Sequence, residues 1–243
     1  MRLVSFAILC FIISNTAAWY PCPFNDGNFT KVVAENVIIR AECTYLTSPL
    51  EWDDWNPNTF DGSFYNRTHS IPVVNLHLKR FFFTDLPLKN TSNPAHIINY
   101  WLVNGGGGSQ YGMEAFGVST MREIARNNFQ KMYSQSIPIV YLFQYRGAGL
   151  SQPSIHCYTA KTWIECAREL IETTVPGSVN ESLRIIHAMS NQNIAQDLQY
   201  QIQYALNESQ PLAPTSTYIY GLSQGKFNSC IDDLVRFSIY LFN

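Results

Sequence analysis

Charge is scarce in this chain. Asp, Glu, Lys and Arg make up 14% of its 243 residues, with 16 basic against 18 acidic side chains and a formal net charge of −2. No block of like charge occurs, so neither nucleic acid nor an anionic membrane surface is an implied partner. No apolar run reaches the roughly 20 residues that a membrane-crossing helix needs. There is no C-x-x-C and no cluster of His and Cys, so no metal and no cofactor is implied. No repeat of solenoid or propeller period appears, and the only low-complexity stretch is Gly105 to Gly108. With 46% hydrophobic residues the chain is far from the composition of a disordered protein and can bury one sizeable core.

The apolar run at residues 3–13 follows Arg2 and precedes Ser14, Asn15, Thr16, Ala17 and Ala18. It reads as a secretory signal peptide over residues 1–18, cleaved after Ala18, and is too short for a membrane anchor. Five N-x-[ST] sequons, at Asn28, Asn66, Asn90, Asn180 and Asn207, agree with a lumenal or extracellular glycoprotein. Cys10 leaves with the signal peptide. The remaining cysteines form two local pairs, Cys22 with Cys43 and Cys157 with Cys166, and leave Cys230 over. The alternative, five free thiols, fits an oxidising compartment less well. These features point to secretion or to the endolysosomal lumen.

Residues 19–66 are rich in Asn, Asp, Pro and Trp and read as a loop-rich N-terminal extension stapled by the first disulfide. Residues 67–243 form the main domain. There, residues 73–83 read as a strand with Val74, Leu76 and Leu78 on one face and His77, a structural histidine, on the other. Residues 97–103 and 137–143 have the length and β-branched content of buried parallel strands. Helices are expected at residues 113–133, 161–174 and 191–206, a strand at 218–220 and a further helix at 226–240, striped by Phe227, Ile231 and Leu234. Strands alternating with helices predict a mostly parallel sheet covered on both faces.

Three motifs sit on this frame. Gly221-Leu222-Ser223-Gln224-Gly225, straight after a strand, is the G-x-S-x-G pattern that lifts a nucleophilic serine onto a sharp strand-to-helix turn. Asn104 followed by Gly105, Gly106, Gly107 and Gly108 comes after the strand at 97–103, where backbone amides, with that of Gln224, could hold the oxyanion of a tetrahedral intermediate. A dinucleotide loop is the competing reading, but Gln110 breaks its third glycine. Arg146-Gly147-Ala148-Gly149-Leu150-Ser151 follows the strand at 137–143.

In that order, with the cysteine pair and with Cys43 and Pro49-Leu50-Glu51-Trp52 upstream, the motifs resemble the secreted prolyl and tripeptidyl aminopeptidase-like serine peptidases of the α/β-hydrolase fold. The similarity runs from about residue 43 to residue 225. It implies hydrolysis of a peptide bond near a free N-terminus through an acyl-enzyme on Ser223, with Gly106 and Gln224 as oxyanion donors. It also implies that Arg146, Gly147, Gly149 and Ser151 organise a structural loop and that Asp197 is structural. Glu114 is either a contact for a substrate amine or a carboxylate at a helix N-terminus. The chain departs from the family at Gln144, where an aspartate is usual, at Asn104 for a histidine and at Gly107 for a proline.

In the α/β-hydrolase order the acid and the histidine of the triad follow the serine. Only 243 − 223 = 20 residues do so here, none of them a histidine. The expectation is therefore a domain that ends just after the nucleophile turn, inactive as it stands. His156, His187, Asp232 and Asp233 are poor candidates to complete the triad. An esterase or lipase of the same fold and a non-catalytic secreted glycoprotein are the alternative functions.

Overall fold

The computed structural model describes residues 18–34, 37–52, 73–84, 96–105, 110–133, 136–209 and 214–222. They form β1 (Tyr20–Pro21), β2 (Thr30–Ala34), β3 (Val37–Pro49), β4 (Val73–Phe83), β5 (His96–Val103), α1 (Tyr111–Tyr133), β6 (Ser136–Phe143), α2 (Trp163–Thr174), α3 (Val179–His187), α4 (Asn191–Ser209) and β7 (Thr215–Gly221). All seven strands belong to one sheet in the order β1-β3-β4-β6-β5-β7, with β2 also on β3. The predicted helix at 226–240 and residue Cys230 lie outside the described residues, as do Asp232, Asp233 and residues 1–17.

β6 shows why the middle of the sheet forms. Its residues Ser-Ile-Pro-Ile-Val-Tyr-Leu-Phe are buried throughout, as a strand covered on both faces must be. Alternation sends Ile137, Ile139, Tyr141 and Phe143 to one face and Val140 and Leu142 to the other. The first set packs on Ile194, Leu198, Ile202 and Ala205 of α4. The second packs on Met113, Val118 and Met121 of α1, with Phe81 and Phe83 of β4. Burial of each such aliphatic or aromatic side chain contributes about 1.5–3 kcal/mol. Gly117 lets α1 settle onto the sheet, because a Cβ there would lie 2.8 Å from the Phe81 ring and 3.2 Å from Leu142.

β5 is parallel to both β6 and β7. The β5–α1–β6 connection steps one way across the sheet, and the connection from β6 through α4 to β7 steps back past β5. Right-handed crossovers in opposite directions place their helices on opposite faces. On the far side β4 runs antiparallel to both β3 and β6. This is the α/β-hydrolase fold.

Two features differ from what the sequence suggests. Residues 37–49 are not a loop: β3 pairs with β4 in continuous register from Ile39↔Phe83 to Pro49↔Val73, and β1 and β2 pair with β3, so these strands are part of the sheet. The alternating burial of β3 marks a strand, and the long β3–β4 ribbon makes the sheet mixed rather than mostly parallel. α3 is the second difference. Its signal was Ser178 followed three residues later by Glu181, and the Ser178 side chain accepts the Glu181 N–H as an N-cap.

Candidate active site

The carboxyl ends of β6, β5 and β7 lie side by side. In parallel α/β sheets ligands bind outside these ends. β5 and β7 stay in register to Val103↔Gly221, and the Leu222 N–H donates to the Val103 carbonyl at 3.0 Å. The chain therefore leaves β7 toward Ser223 directly beside the point where β5 enters the glycine-rich loop. Ser223, Gln224, Gly225 and Gly106 themselves lie outside the described residues.

Both feet of the glycine-rich loop are held. At the entry, the Gly105 N–H donates to Asn104 Oδ1 at 2.8 Å, and the Tyr145 hydroxyl donates to the Asn104 carbonyl. At the exit, the Gln110 N–H donates to Gln144 Oε1 at 3.0 Å, and Gln110 Nε2 lies 2.7 Å from His77 Nδ1. Burial pushes the His77 imidazole from its ordinary 6.5 down to about 4; the Gln110 contact opposes this and the Lys79 charge adds to it. His77 is thus neutral near pH 7, and Gln110 Nε2 donates to it.

The Arg146–Ser151 segment is rigid for identifiable reasons. Arg146 is fully buried and forks onto Asp197, Nε to Oδ2 and Nη2 to Oδ1, both at 2.6 Å. Its Nη1 donates to the carbonyls of Leu50 and Ala188. Asp197 Oδ1 also accepts from Ser48 Oγ at 2.7 Å and from Trp52 Nε1 at 3.0 Å. Gly147 and Gly149 have φ of 73° and 56°, the left-handed region that favours glycine. Ser151 Oγ accepts the His77 N–H at 3.0 Å, which ties the loop to β4.

Glu114 is not placed to meet a substrate amine. It is buried in the first turn of α1, bonded to Lys79 Nζ at 2.5 Å and to the Asn25 N–H at 2.5 Å. No sequence signal linked it to Lys79, which is 35 residues away. Four of the five histidines are described. His96 sits at the opposite end of β5, about 23 Å from Val103 at 3.3 Å per residue, against Ser216. His156 contacts Ser154 and the Tyr158 ring, and His187 is in the last turn of α3.

Both expected disulfides form, Cys22–Cys43 and Cys157–Cys166. Asn28, Asn180 and Asn207 are exposed, while Asn66 and Asn90 lie outside the described residues. Among the described residues no helix is long and apolar enough to cross a membrane. Nor do three or more His, Cys, Asp or Glu side chains come together there as a metal site would require.

No family model matches this chain, and no curated protein matches it significantly. Among solved structures it is similar to the peroxisomal alpha-beta-hydrolase Lpx1 of Saccharomyces cerevisiae, at 14% identity and a TM-score of 0.45, over 83% of this chain and 44% of that one. It is also similar to the rice cell wall degrading esterase LipA of Xanthomonas oryzae, at 8% identity and a TM-score of 0.34, over 92% of this chain and 47% of that one. The chain spans less than half the length of either.

Proposed function

We propose that this chain belongs to a secreted, N-glycosylated serine hydrolase whose nucleophile is Ser223, and that its substrates are peptides cut near a free N-terminus. The observation that carries the reading is the adjacency of two strand ends: β7 delivers the chain to Ser223 beside Val103, from which β5 runs into Asn104 and Gly105. Attack by the Ser223 hydroxyl on a carbonyl carbon passes its proton to a base and leaves negative charge on the carbonyl oxygen. The Gly106 and Gln224 N–H groups would hold that oxygen, and collapse would expel the amine with a proton and leave an acyl-serine for water to hydrolyse. The base would be a histidine oriented by an acid; no histidine follows Ser223 among residues 224–243, and neither role is assigned to a residue of this sequence. Secretion is supported by the two disulfides and by the three exposed sequon asparagines.

The test is covalent labelling of the native glycoprotein with a fluorophosphonate, followed by peptide mapping. Modification of Ser223 that is lost in Ser223→Ala supports a hydrolase. A folded, glycosylated protein that resists the reagent sinks it and leaves the non-catalytic glycoprotein. Turnover of aminoacyl amides supports the peptidase; turnover confined to short acyl esters assigns an esterase instead.

A further inference from the structure

We propose that Gln144 and Tyr145 act together as positioning residues, a two-residue buckle that fixes the two feet of the glycine-rich loop, Asn104 and Gln110. This rests on reading that loop as the oxyanion loop of a serine hydrolase. The two residues leave the carboxyl end of β6, next to β5 in the sheet. Successive side chains of an extended segment point to opposite sides, so one strand end can serve both feet. Tyr145 donates its hydroxyl to the Asn104 carbonyl, where the chain enters the loop, and Gln144 Oε1 accepts the Gln110 N–H, where it leaves.

Packing confines the pair on several sides. Gln144 is fully buried and Tyr145 is 1% exposed. The Tyr145 ring stands edge-on to Phe143, with centroids 5.2 Å apart. The Gln144 carboxamide lies against Gly149, where an added Cβ would come within 2.5 Å of Oε1. The second glycine of the Arg146–Ser151 motif thus makes room for the buckle. Gln110 is fixed a second time through its side chain by His77, and its carbonyl accepts the Met113 N–H at 2.9 Å to open α1. Gly112, in that first turn, stands across from Asn104, with 3.3 Å from a built Cβ to Asn104 Nδ2.

The chemistry explains why such a grip matters. Amide donors stabilise an oxyanion only when they are preorganised within a few tenths of an ångström, and misplacement by about 1 Å costs about 100-fold in rate. A carboxamide accepts the Gln110 N–H without burying a charge, which a carboxylate in the same place would do.

The experiment combines amide hydrogen exchange with fluorophosphonate labelling on the native glycoprotein and three variants, Gln144→Leu, Gln144→Glu and Tyr145→Phe. Gln144→Leu is expected to raise exchange at residues 105–110 by about 10-fold or more with β5 and α4 unchanged. It should also slow labelling of Ser223 by about 10- to 100-fold. Gln144→Glu, which keeps an acceptor but buries a charge, should restore part of both. Tyr145→Phe removes one hydroxyl and tests the entry foot should Gln144→Leu fail to fold. Unchanged exchange at residues 105–110 in the folded variants overturns the proposal, and so does an equal rise across β5 and α4. Raised loop exchange in a protein whose Ser223 never labels keeps the buckle and discards the hydrolase reading.

Discussion

Replacing Asp197 by Asn tests a buried, heavily bonded carboxylate. The carboxylate accepts four hydrogen bonds, two from Arg146, one from Ser48 and one from Trp52, and it and Arg146 are both fully buried. Asn keeps the volume and one acceptor, which can still serve Ser48 and Trp52. It removes the charge facing the guanidinium and turns an N–H₂ toward a donor. Arg146 stays charged and buried, its remaining partners the neutral carbonyls of Pro49, Leu50 and Ala188. Breaking a buried pair from one side costs about 3–5 kcal/mol, a large part of the roughly 5–15 kcal/mol that holds a domain folded. At a urea slope of about 2–3 kcal/mol per molar, the unfolding midpoint should fall by about 1–2.5 M. Removing both partners, as Arg146→Met with Asp197→Leu, should cost less than the two single changes added. A loss below about 1 kcal/mol for Asp197→Asn, at unchanged slope, would refute the view that this pair closes the fold.

Two further perturbations follow from the same packing. His77 titrates at 6.5 when unfolded and at about 4 when folded, so between these values the unfolded chain takes up a proton that the native one refuses. The stability tied to neutral His77 is complete above about pH 6.5 and is lost as pH falls toward 4, in total about 3 kcal/mol. Urea midpoints of the wild type should therefore drop across this window more steeply than those of His77→Leu, and parallel curves would contradict the assignment. Gly149→Ala adds a Cβ 2.5 Å from Gln144 Oε1 at φ +56°, whereas Gly177→Ala, at φ +82°, meets nothing within 4 Å. The first should cost about 2–4 kcal/mol and the second about 1 kcal/mol; equal melting-temperature losses would show that Gln144 does not press on Gly149.

How much was legible depended on the range of the signal. β5 and β6 announce themselves as short apolar, β-branched runs, which a strand buried on both faces must be, and β4 by the alternation of Val74, Leu76 and Leu78. α1 and α4 are legible because one face of each meets the sheet at helical spacing. The two disulfides close loops of 21 and 9 residues, short enough to pair by proximity in the sequence. β3 alternates as well, but without its partner in view the Asn- and Pro-rich surroundings made it read as loop. The serine, glycine and arginine motifs could be placed at strand ends, yet the order of those strands in space was invisible.

Local chemistry is written in the order of residues: which segments can be strands, which turns need glycine, where a serine could stand at a strand end. Tertiary structure decided who meets whom. It set β5 between β6 and β7, so that Val103 and Gly221 end together. It drew Gln144 and Tyr145 to Gln110 and Asn104, 34 and 41 residues away, and Arg146 to Asp197 across 51. It also gave Glu114 to Lys79 rather than to a substrate. The physical reason is that a hydrogen bond or ion pair across the core leaves no period in the sequence. It exists only once hydrophobic burial has stacked the layers and excluded the water that would otherwise satisfy each group.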